Sequence, residues 1–149
     1  MSPEIIEQPF RLYQDDPNVS VANGVASRWS DIWKYQVPLG VSLILKPEHT
    51  FSAYLDDGAE VGAQTCSVKI EKRDSSQSDV VILFGPNLYA TVKEFSERSK
   101  MATLGVPSGG IIVSEREYLV ISAYDDGTIT ESTCYFELHI AKVRKAIGA

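Results

Sequence analysis

Hydrophobic and polar residues alternate along most of the chain after residue 24. In residues 41–45, for example, Val41, Leu43 and Leu45 share one side of an extended chain. A period of two is typical of antiparallel strands that expose one face to water. The same pattern predicts further strands at residues 50–55, 64–72, 80–84, 88–92, 111–113, 118–124 and 133–143. No window of a dozen residues has the 3.6-residue period of a core helix, so the sequence predicts an all-β domain.

The breaks between these predicted strands are rich in residues that form turns. The tripeptide DDG occurs at residues 56–58 and 125–127, and Gly, Pro, Asn, Asp and Ser are common at 73–78, 85–87 and 107–110. Such residues favour turns because they tolerate left-handed backbone or bond to their own backbone. About eight or nine strands with turns of this kind predict an antiparallel β-sandwich. Among the possible sandwiches we favour a jelly roll.

The first 24 residues differ from the rest of the chain. They contain Pro3, Pro9 and Pro17 and show no sustained periodicity. Proline removes a backbone donor and favours an extended conformation in the residue before it. We therefore predict an extended N-terminal arm (1–24) followed by a β-sandwich domain (25–149). The apolar anchors of this arm need a surface on the same domain or on another molecule, and they are Ile5, Ile6, Phe10, Leu12 and Tyr13.

Both tryptophans lie in the segment SRWSDIWKYQV at residues 27–37. In an extended chain Trp29, Trp33 and Tyr35 share one face and form an aromatic stripe. Aromatic side chains dominate both cores and interfaces, so we expect the stripe to cover one end of the hydrophobic core. A subunit interface and a platform for stacking a sugar ring are the functional alternatives.

Charge and composition narrow the classes of partner. The 149-residue chain has a formal net charge of −6, which disfavours nucleic acid because phosphate binding needs clustered Lys and Arg. The N-terminus lacks the features of a signal peptide, and no apolar run is long enough to span a bilayer. We expect synthesis in the cytoplasm and no membrane partner. Cys66 and Cys134 lie on the apolar side of alternating strands, which indicates small buried residues, although a disulfide stays possible.

No set of residues matches a known catalytic or metal-binding pattern. The chain has no GxSxG motif, and its two histidines, His49 and His139, are ninety positions apart with no ligand spacing between them. The carboxylates gather in turns, where aspartate bonds its own backbone. The two DDG turns offer oxygen ligands for calcium but lack the spacing of a regular calcium loop. We expect a non-enzymatic protein with no catalytic residues, no metal and no cofactor.

An acidic β-sandwich with an apolar arm resembles the capsid decoration (cement) proteins of tailed bacteriophages. The resemblance rests on MSPEIIEQPFRLY as the arm and on YQVPLGVSLILKP as the first strand of the domain. It implies a structural protein on the capsid exterior of a virion, synthesised in the host cytoplasm and forming a homotrimer. Its partner would be the major capsid protein or another virion protein.

The resemblance also implies a mechanism, in which the arm and the edge strands add hydrogen bonds and apolar contacts to the shell. Deleting residues 1–20 should then leave the domain folded and abolish binding to the particle. The alternative is a carbohydrate-binding or receptor-binding β-sandwich, such as a phage tail domain or a lectin-like module. A metal-dependent jelly-roll enzyme is a third reading.

Overall fold

The structure, a computed structural model, describes residues 5–54, 64–91, 102–103, 106, 108–124 and 135–145. Every regular element in these residues is a β-strand. No helix in the described part of the chain is long and apolar enough to cross a membrane. The two DDG turns and Cys134 lie outside the described residues, and Cys66 is described by its backbone alone.

The described residues form eleven strands, and alternation in the sequence accounts for most of them. Their bounds are β1 (Ile5–Tyr13), β2 (Val19–Val21), β3 (Ser30–Gln36), β4 (Val41–Leu45), β5 (Thr50–Tyr54), β6 (Gln64–Arg73), β7 (Val80–Thr91), β8 (Ala102–Thr103), β9 (Ile111–Val113), β10 (Tyr118–Tyr124) and β11 (Tyr135–Lys145). The strands lie in two antiparallel sheets.

The first sheet is built around β11. One edge of β11 pairs with β1 from Ile5 opposite Lys145 to Tyr13 opposite Glu137. The same stretch of β11 also pairs with β5 and then with β4, so these two strands must lie along its other edge. They act as one strand that is interrupted by the turn at residues 46–49. β9 pairs with β4, and β8 pairs with β5, on the far side.

The second sheet has the strand order β2-β3-β10-β6-β7. Along the chain, β1 lies in the first sheet, β2 and β3 in the second, β4 and β5 in the first, and β6 and β7 in the second. β8 and β9 return to the first sheet, β10 to the second and β11 to the first. This repeated crossing between two antiparallel sheets is the jelly-roll arrangement. The predicted all-β jelly-roll sandwich is therefore confirmed.

One hydrophobic core fills the space between the sheets. Its largest fully buried side chains include Trp33, Phe51 and Phe136. The rings of Phe51 and Phe136 stack with centroids 6.4 Å apart, which joins β5 to β11 inside the core. Because the core lies between the sheets, the outer face of each sheet and the loops are left for solvent or for partners.

Residues 5–13, within the segment predicted to be an arm, form strand β1. This part of the chain is extended, as the prolines indicate, but it is a strand of the first sheet in unbroken register with β11 of the same chain. β2, at residues 19–21, likewise belongs to the second sheet. The structure therefore draws no boundary at residue 24, and the surface on which this segment lies is its own domain.

Candidate interaction surfaces

Two of the predicted arm anchors face the core of their own domain. Leu12 is fully buried, and Phe10 packs against the core with its ring centroid 6.3 Å from that of Tyr35. The ammonium group of Lys142 lies 4.6 Å from the centre of the Phe10 ring. These side chains hold β1 to the sandwich, so they are not available to a partner while β1 stays paired.

The other predicted anchors differ in position. Tyr13 lies on the outer face of the first sheet, with the Arg11 guanidinium 4.8 Å from its ring centre. Ile5 and Ile6 lie in β1 opposite Lys145 and Arg144, and the structure describes only their backbone.

The aromatic stripe is divided by a β-bulge. Ile121 of β10 pairs with Trp33, but the next residue of β10 pairs with Asp31, so Ile32 is an extra residue in β3. A bulge of this kind reverses the face on which the following side chains lie. Trp33 and Tyr35 consequently lie in the core, whereas Trp29 is 37% exposed.

Trp29 lies at an exposed apolar corner of the second sheet. Lys69 Nζ is 4.5 Å from its ring centre, and the Tyr124 ring lies 6.0 Å away at a tilt. The cation therefore covers one face of the indole that a sugar ring would need. Val25, 53% exposed, lies on the same β2–β3 connection, whereas Val21 is the last residue of β2 and pairs with the core residue Trp33. We call Val25 and Trp29 the hairpin patch.

A network of charges covers much of the outer face of the second sheet. The Arg73 guanidinium donates to both carboxylate oxygens of Asp31 at 2.7 and 2.9 Å and to Glu71 Oε2 at 2.8 and 2.9 Å. Lys69 Nζ lies 2.7 Å from the other oxygen of Glu71, which is only 3% exposed. Val120 is paired directly with Glu71 across the strands and is fully buried under this network. The network thus replaces a second apolar layer on this face.

A smaller polar cluster joins β1 to β11 on the outer face of the first sheet. Arg11 Nε donates to Glu137 Oε1 at 2.6 Å, and His139 Nε2 is 2.6 Å from the same oxygen. The Tyr135 hydroxyl donates to Glu137 Oε2 at 3.0 Å and accepts from Arg11 at 2.9 Å. Burial raises the pKa of Glu137, but the bonds from Arg11, Tyr135 and His139 outweigh burial and hold that pKa below its ordinary value.

This cluster predicts a specific pH dependence for the substitution Glu137→Gln. Because the folded-state pKa of Glu137 lies below its ordinary value of 4.5, ionised Glu137 stabilises the fold above pH 4.5. That contribution is lost as pH falls through the folded-state pKa. We expect Glu137→Gln to lower the melting temperature at neutral pH, and the difference from the unsubstituted protein to disappear in acid. Thermal unfolding from pH 7 to 3 measures this, with the exposed Glu48→Gln as control. A difference that stays constant down to pH 3 would contradict the assignment.

The same face carries an apolar groove of about 460 Å³. Ile44 and Ile112 pair directly across β4 and β9, and Val143 of β11 completes an apolar floor. Glu7 and Glu115 stand at its rim. Ile112 is 53% exposed, so the groove presents a large aliphatic side chain to solvent. We call Ile44, Ile112 and Val143 the sheet groove.

The fold brings the two histidines together, which the sequence did not indicate. His49 and His139 line one depression beside Glu7 and Glu48 because Thr50 pairs with His139. His49 Nδ1 accepts from the backbone N–H of Lys46 at 2.9 Å, and burial lowers the pKa of His49. Within the described ranges, no group of three or more His, Cys, Asp and Glu side chains is arranged to hold a metal ion.

A proline interrupts the outer edge of β1. The backbone N–H of Gln14 donates to the Phe136 carbonyl at 2.9 Å, in the register of β1 with β11. Bonded and non-bonded pairs alternate in an antiparallel ladder, so the odd-numbered residues of β1 direct their N–H groups to the open edge. Pro9 is one of them. Its missing N–H removes no bond to β11 and leaves a gap in the exposed edge.

The edges of β7 and β9 are also poorly suited to pairing with a further strand. The register of β6 with β7 shifts on each side of Ile70, and β7 carries the extra residues of both bulges. On β9, Lys72 Nζ donates to the Ile112 carbonyl at 2.8 Å. These features disfavour the addition of a partner strand. We therefore expect contacts with other molecules to use faces and loops.

The sheet groove was not predicted from the sequence, although the sequence carries a signal for it. Ile44, Ile112 and Val143 are each aliphatic residues at positions where the alternation of their strand requires a polar residue. One such residue is common on a protein surface. Three of them form a site only because β4, β9 and β11 are neighbours, and strand order is not readable from periodicity.

Comparison with known proteins gives a likeness in fold. No protein-family model and no curated protein matches the sequence. Among solved structures, VP17, a capsid protein of bacteriophage P23-77, superposes with a TM-score of 0.53 at 6% identity, covering 95% of this chain and 98% of that one. The xylanase 10B of Clostridium thermocellum, with CBM22-1 and GH10 modules, matches at a TM-score of 0.36 and 11% identity over 95% of this chain and 26% of that one. The chain thus shares its fold, along its whole length, with a bacteriophage capsid protein.

Proposed function

We propose that the chain is a non-enzymatic structural protein of a virus particle, which binds the capsid shell as a decoration (cement) protein. The observation that carries this proposal is the likeness to VP17, which extends over nearly all of both chains. The proposed partner is the major capsid protein or another virion protein.

The charge of the protein favours a position on the capsid exterior. A net charge of −6 disfavours contact with packaged nucleic acid, whose phosphates repel an acidic surface. On the outside of a shell the same charge keeps the exposed faces soluble.

The hairpin patch is the surface that we propose meets the shell. Its exposed aliphatic and aromatic side chains are held on a connection that is itself hydrogen-bonded. The Ala22 N–H donates to the Ile32 carbonyl at 2.9 Å, and the Val25 N–H donates to Ser30 Oγ at 2.8 Å. A pre-ordered apolar patch loses little conformational entropy on binding. Phe10 and Leu12 support binding indirectly, because they hold β1 in the sandwich.

Co-sedimentation with empty shells of the virus that encodes the chain tests this role. We expect the protein to pellet with the shells and Val25→Asp to bind at least about tenfold more weakly, because a buried carboxylate without a partner opposes the contact. Val81→Asp, at a 48% exposed valine of β7, is the matched control and should bind normally. Failure of the unsubstituted protein to bind, or equal losses in both variants, would contradict the proposal. A glycan array with and without calcium should show no binding, whereas a carbohydrate-binding module would give a signal.

A further inference from the structure

We propose that the chain assembles with copies of itself by inserting Leu39 of one copy into the sheet groove of the next. This inference goes beyond the proposed role on a shell. The contact itself does not depend on that role, whereas the number of copies, three, rests on the resemblance to capsid decoration proteins. It rests on an exposed leucine held on a rigid turn, on an apolar groove that lacks an occupant among the described residues, and on the charges beside each.

Leu39 is the most exposed of the large hydrophobic residues that the structure describes, at 63%. It lies in a tight turn closed by a bond of 3.3 Å from the Val41 N–H to the Pro38 carbonyl. Gly40 follows with φ of 77°, the left-handed conformation that the third position of a type II turn requires. The Gly40 N–H donates to Glu115 Oε2 at 2.8 Å, which fixes the turn to the neighbouring loop.

The base of this turn is braced by further bonds. The Val37 N–H donates to the Glu117 carbonyl at 2.9 Å, and the Arg116 N–H donates to the Val37 carbonyl at 2.7 Å. Gln36 Nε2 donates to the Arg116 carbonyl at 3.1 Å. Five bonds therefore hold in place a leucine that touches little of its own domain. Such a side chain is suited to act as an anchor, because little entropy is lost when it enters a pocket.

The sheet groove has the size and chemistry to receive this anchor. Its volume of about 460 Å³ lies within the range of pockets that enclose small ligands, so a leucine side chain and part of its turn would fit. Burial of Leu39 against Ile44, Ile112 and Val143 would remove apolar surface from water on both copies.

The charges beside the anchor and the groove are complementary. Arg116 is exposed and lines the same depression as Leu39, so a copy that presents Leu39 also presents a cation. The rim of the groove carries the carboxylates of Glu7, which is bonded to Lys46, and of Glu115. Entry of Leu39 would bring Arg116 toward this acidic rim, which favours a second copy over a partner whose apolar segment carries acidic flanks.

The anchor and the groove use different residues, so two copies can exchange anchors in a two-fold dimer or join head to tail. The head-to-tail form, a heterologous contact, is the one that gives a trimer. Contacts of this kind form rings when the rotation between copies closes and filaments when it does not. Gly40 lines the groove and directly follows Leu39 in sequence, so both halves of the contact lie at one corner of the sandwich. The homotrimer that the resemblance to capsid decoration proteins implies is an assembly of this kind.

Sedimentation equilibrium on the full chain tests the proposal. We expect a trimer for the unsubstituted protein and monomers for Leu39→Asp and Ile112→Asp, with association weakened at least about tenfold. Val81→Asp is the control for a charge at an exposed aliphatic residue and should remain a trimer. Circular dichroism and thermal unfolding of each variant check that the monomers are folded. A protein that stays monomeric up to about 1 mM, or a Leu39→Asp variant that still forms trimers, overturns the proposal.

A mixing experiment distinguishes this contact from other modes of association. Leu39→Asp keeps an intact groove, and Ile112→Asp keeps an intact anchor, so an equimolar mixture should form a dimer that neither variant forms alone. A mixture that remains monomeric overturns the heterologous contact. If the unsubstituted protein is monomeric and Ile112→Asp loses binding to shells, the groove takes a shell protein instead, and self-association is wrong while the shell role stands. If Val25→Asp loses binding to shells but still forms trimers, the proposed contact between copies stands.

Discussion

A chain that lacks residues 1–13 is expected to be unfolded. The deletion removes β1, whose nine residues pair with β11, and it removes Leu12 and Phe10 from the core. Replacing one buried leucine by alanine typically lowers the free energy of unfolding by about 2–5 kcal/mol, and that free energy is only about 5–15 kcal/mol for a whole domain. Loss of a whole strand, with its backbone bonds to β11 and two side chains of the core, is comparable to that whole margin. Far-ultraviolet circular dichroism and urea unfolding of the truncated protein measure the effect.

A point substitution separates the loss of β1 packing from the loss of chain length. Leu12→Ala should lower the free energy of unfolding by about 2–5 kcal/mol, whereas Ser20→Ala, at an exposed position of β2, should change it by less than about 0.5 kcal/mol. If the truncated chain keeps a cooperative transition at the original urea midpoint, β1 is a dispensable arm. The sequence predicts that outcome, and the pairing of β1 with β11 predicts the opposite.

The prolines explain why the sequence pointed to an arm. Proline usually excludes a segment from the middle of a sheet, because it cannot donate to the ladder. Pro9 is compatible with β1 only because its nitrogen faces the open edge, and neither edge position nor register can be read from one sequence. A similar limit applies to Gly85 and Pro86, which read as a turn between two strands but lie inside the single bulged strand β7.

The positions of the strands were easier to predict from the sequence than the positions of individual side chains. The sequence located β4, β9 and β10 with the bounds that the structure gives, because each is a short apolar run between turns; β10 is buried on both faces. The same reasoning placed Trp29 with Trp33 and Tyr35, and the extra residue Ile32 separates them. The sheet groove and the charged network depend on which strands are neighbours. Long-range pairing of this kind is fixed by packing of the whole sandwich rather than by local pattern.

We expect removal of the Arg73 side chain to destabilise the fold strongly, because the buried carboxylate of Glu71 loses its partner guanidinium. Arg73→Met preserves an apolar side chain of similar length but removes both bonds to Glu71 and both to Asp31. Hydrogen bonds that Arg73 donates to Asp31 and Glu71 outweigh burial and raise the pKa of Arg73, so the guanidinium is charged throughout the accessible pH range. Removing one partner of a buried ion pair costs about 3–5 kcal/mol, and we expect about 3 kcal/mol because Lys69 still contacts Glu71.

The cause of that loss can be separated from a simple change in packing. If the unpaired carboxylate is responsible, adding Glu71→Gln to Arg73→Met should restore part of the stability, because a neutral amide is less costly to bury than a charge. If lost packing over Val120 is responsible, the second substitution should lower stability further. Arg116→Met, at an exposed arginine, is the matched control and should change the free energy of unfolding by less than about 0.5 kcal/mol. Urea unfolding of the four proteins at pH 7 decides between these causes, and an Arg73→Met variant as stable as the control would show that the network contributes no net stability.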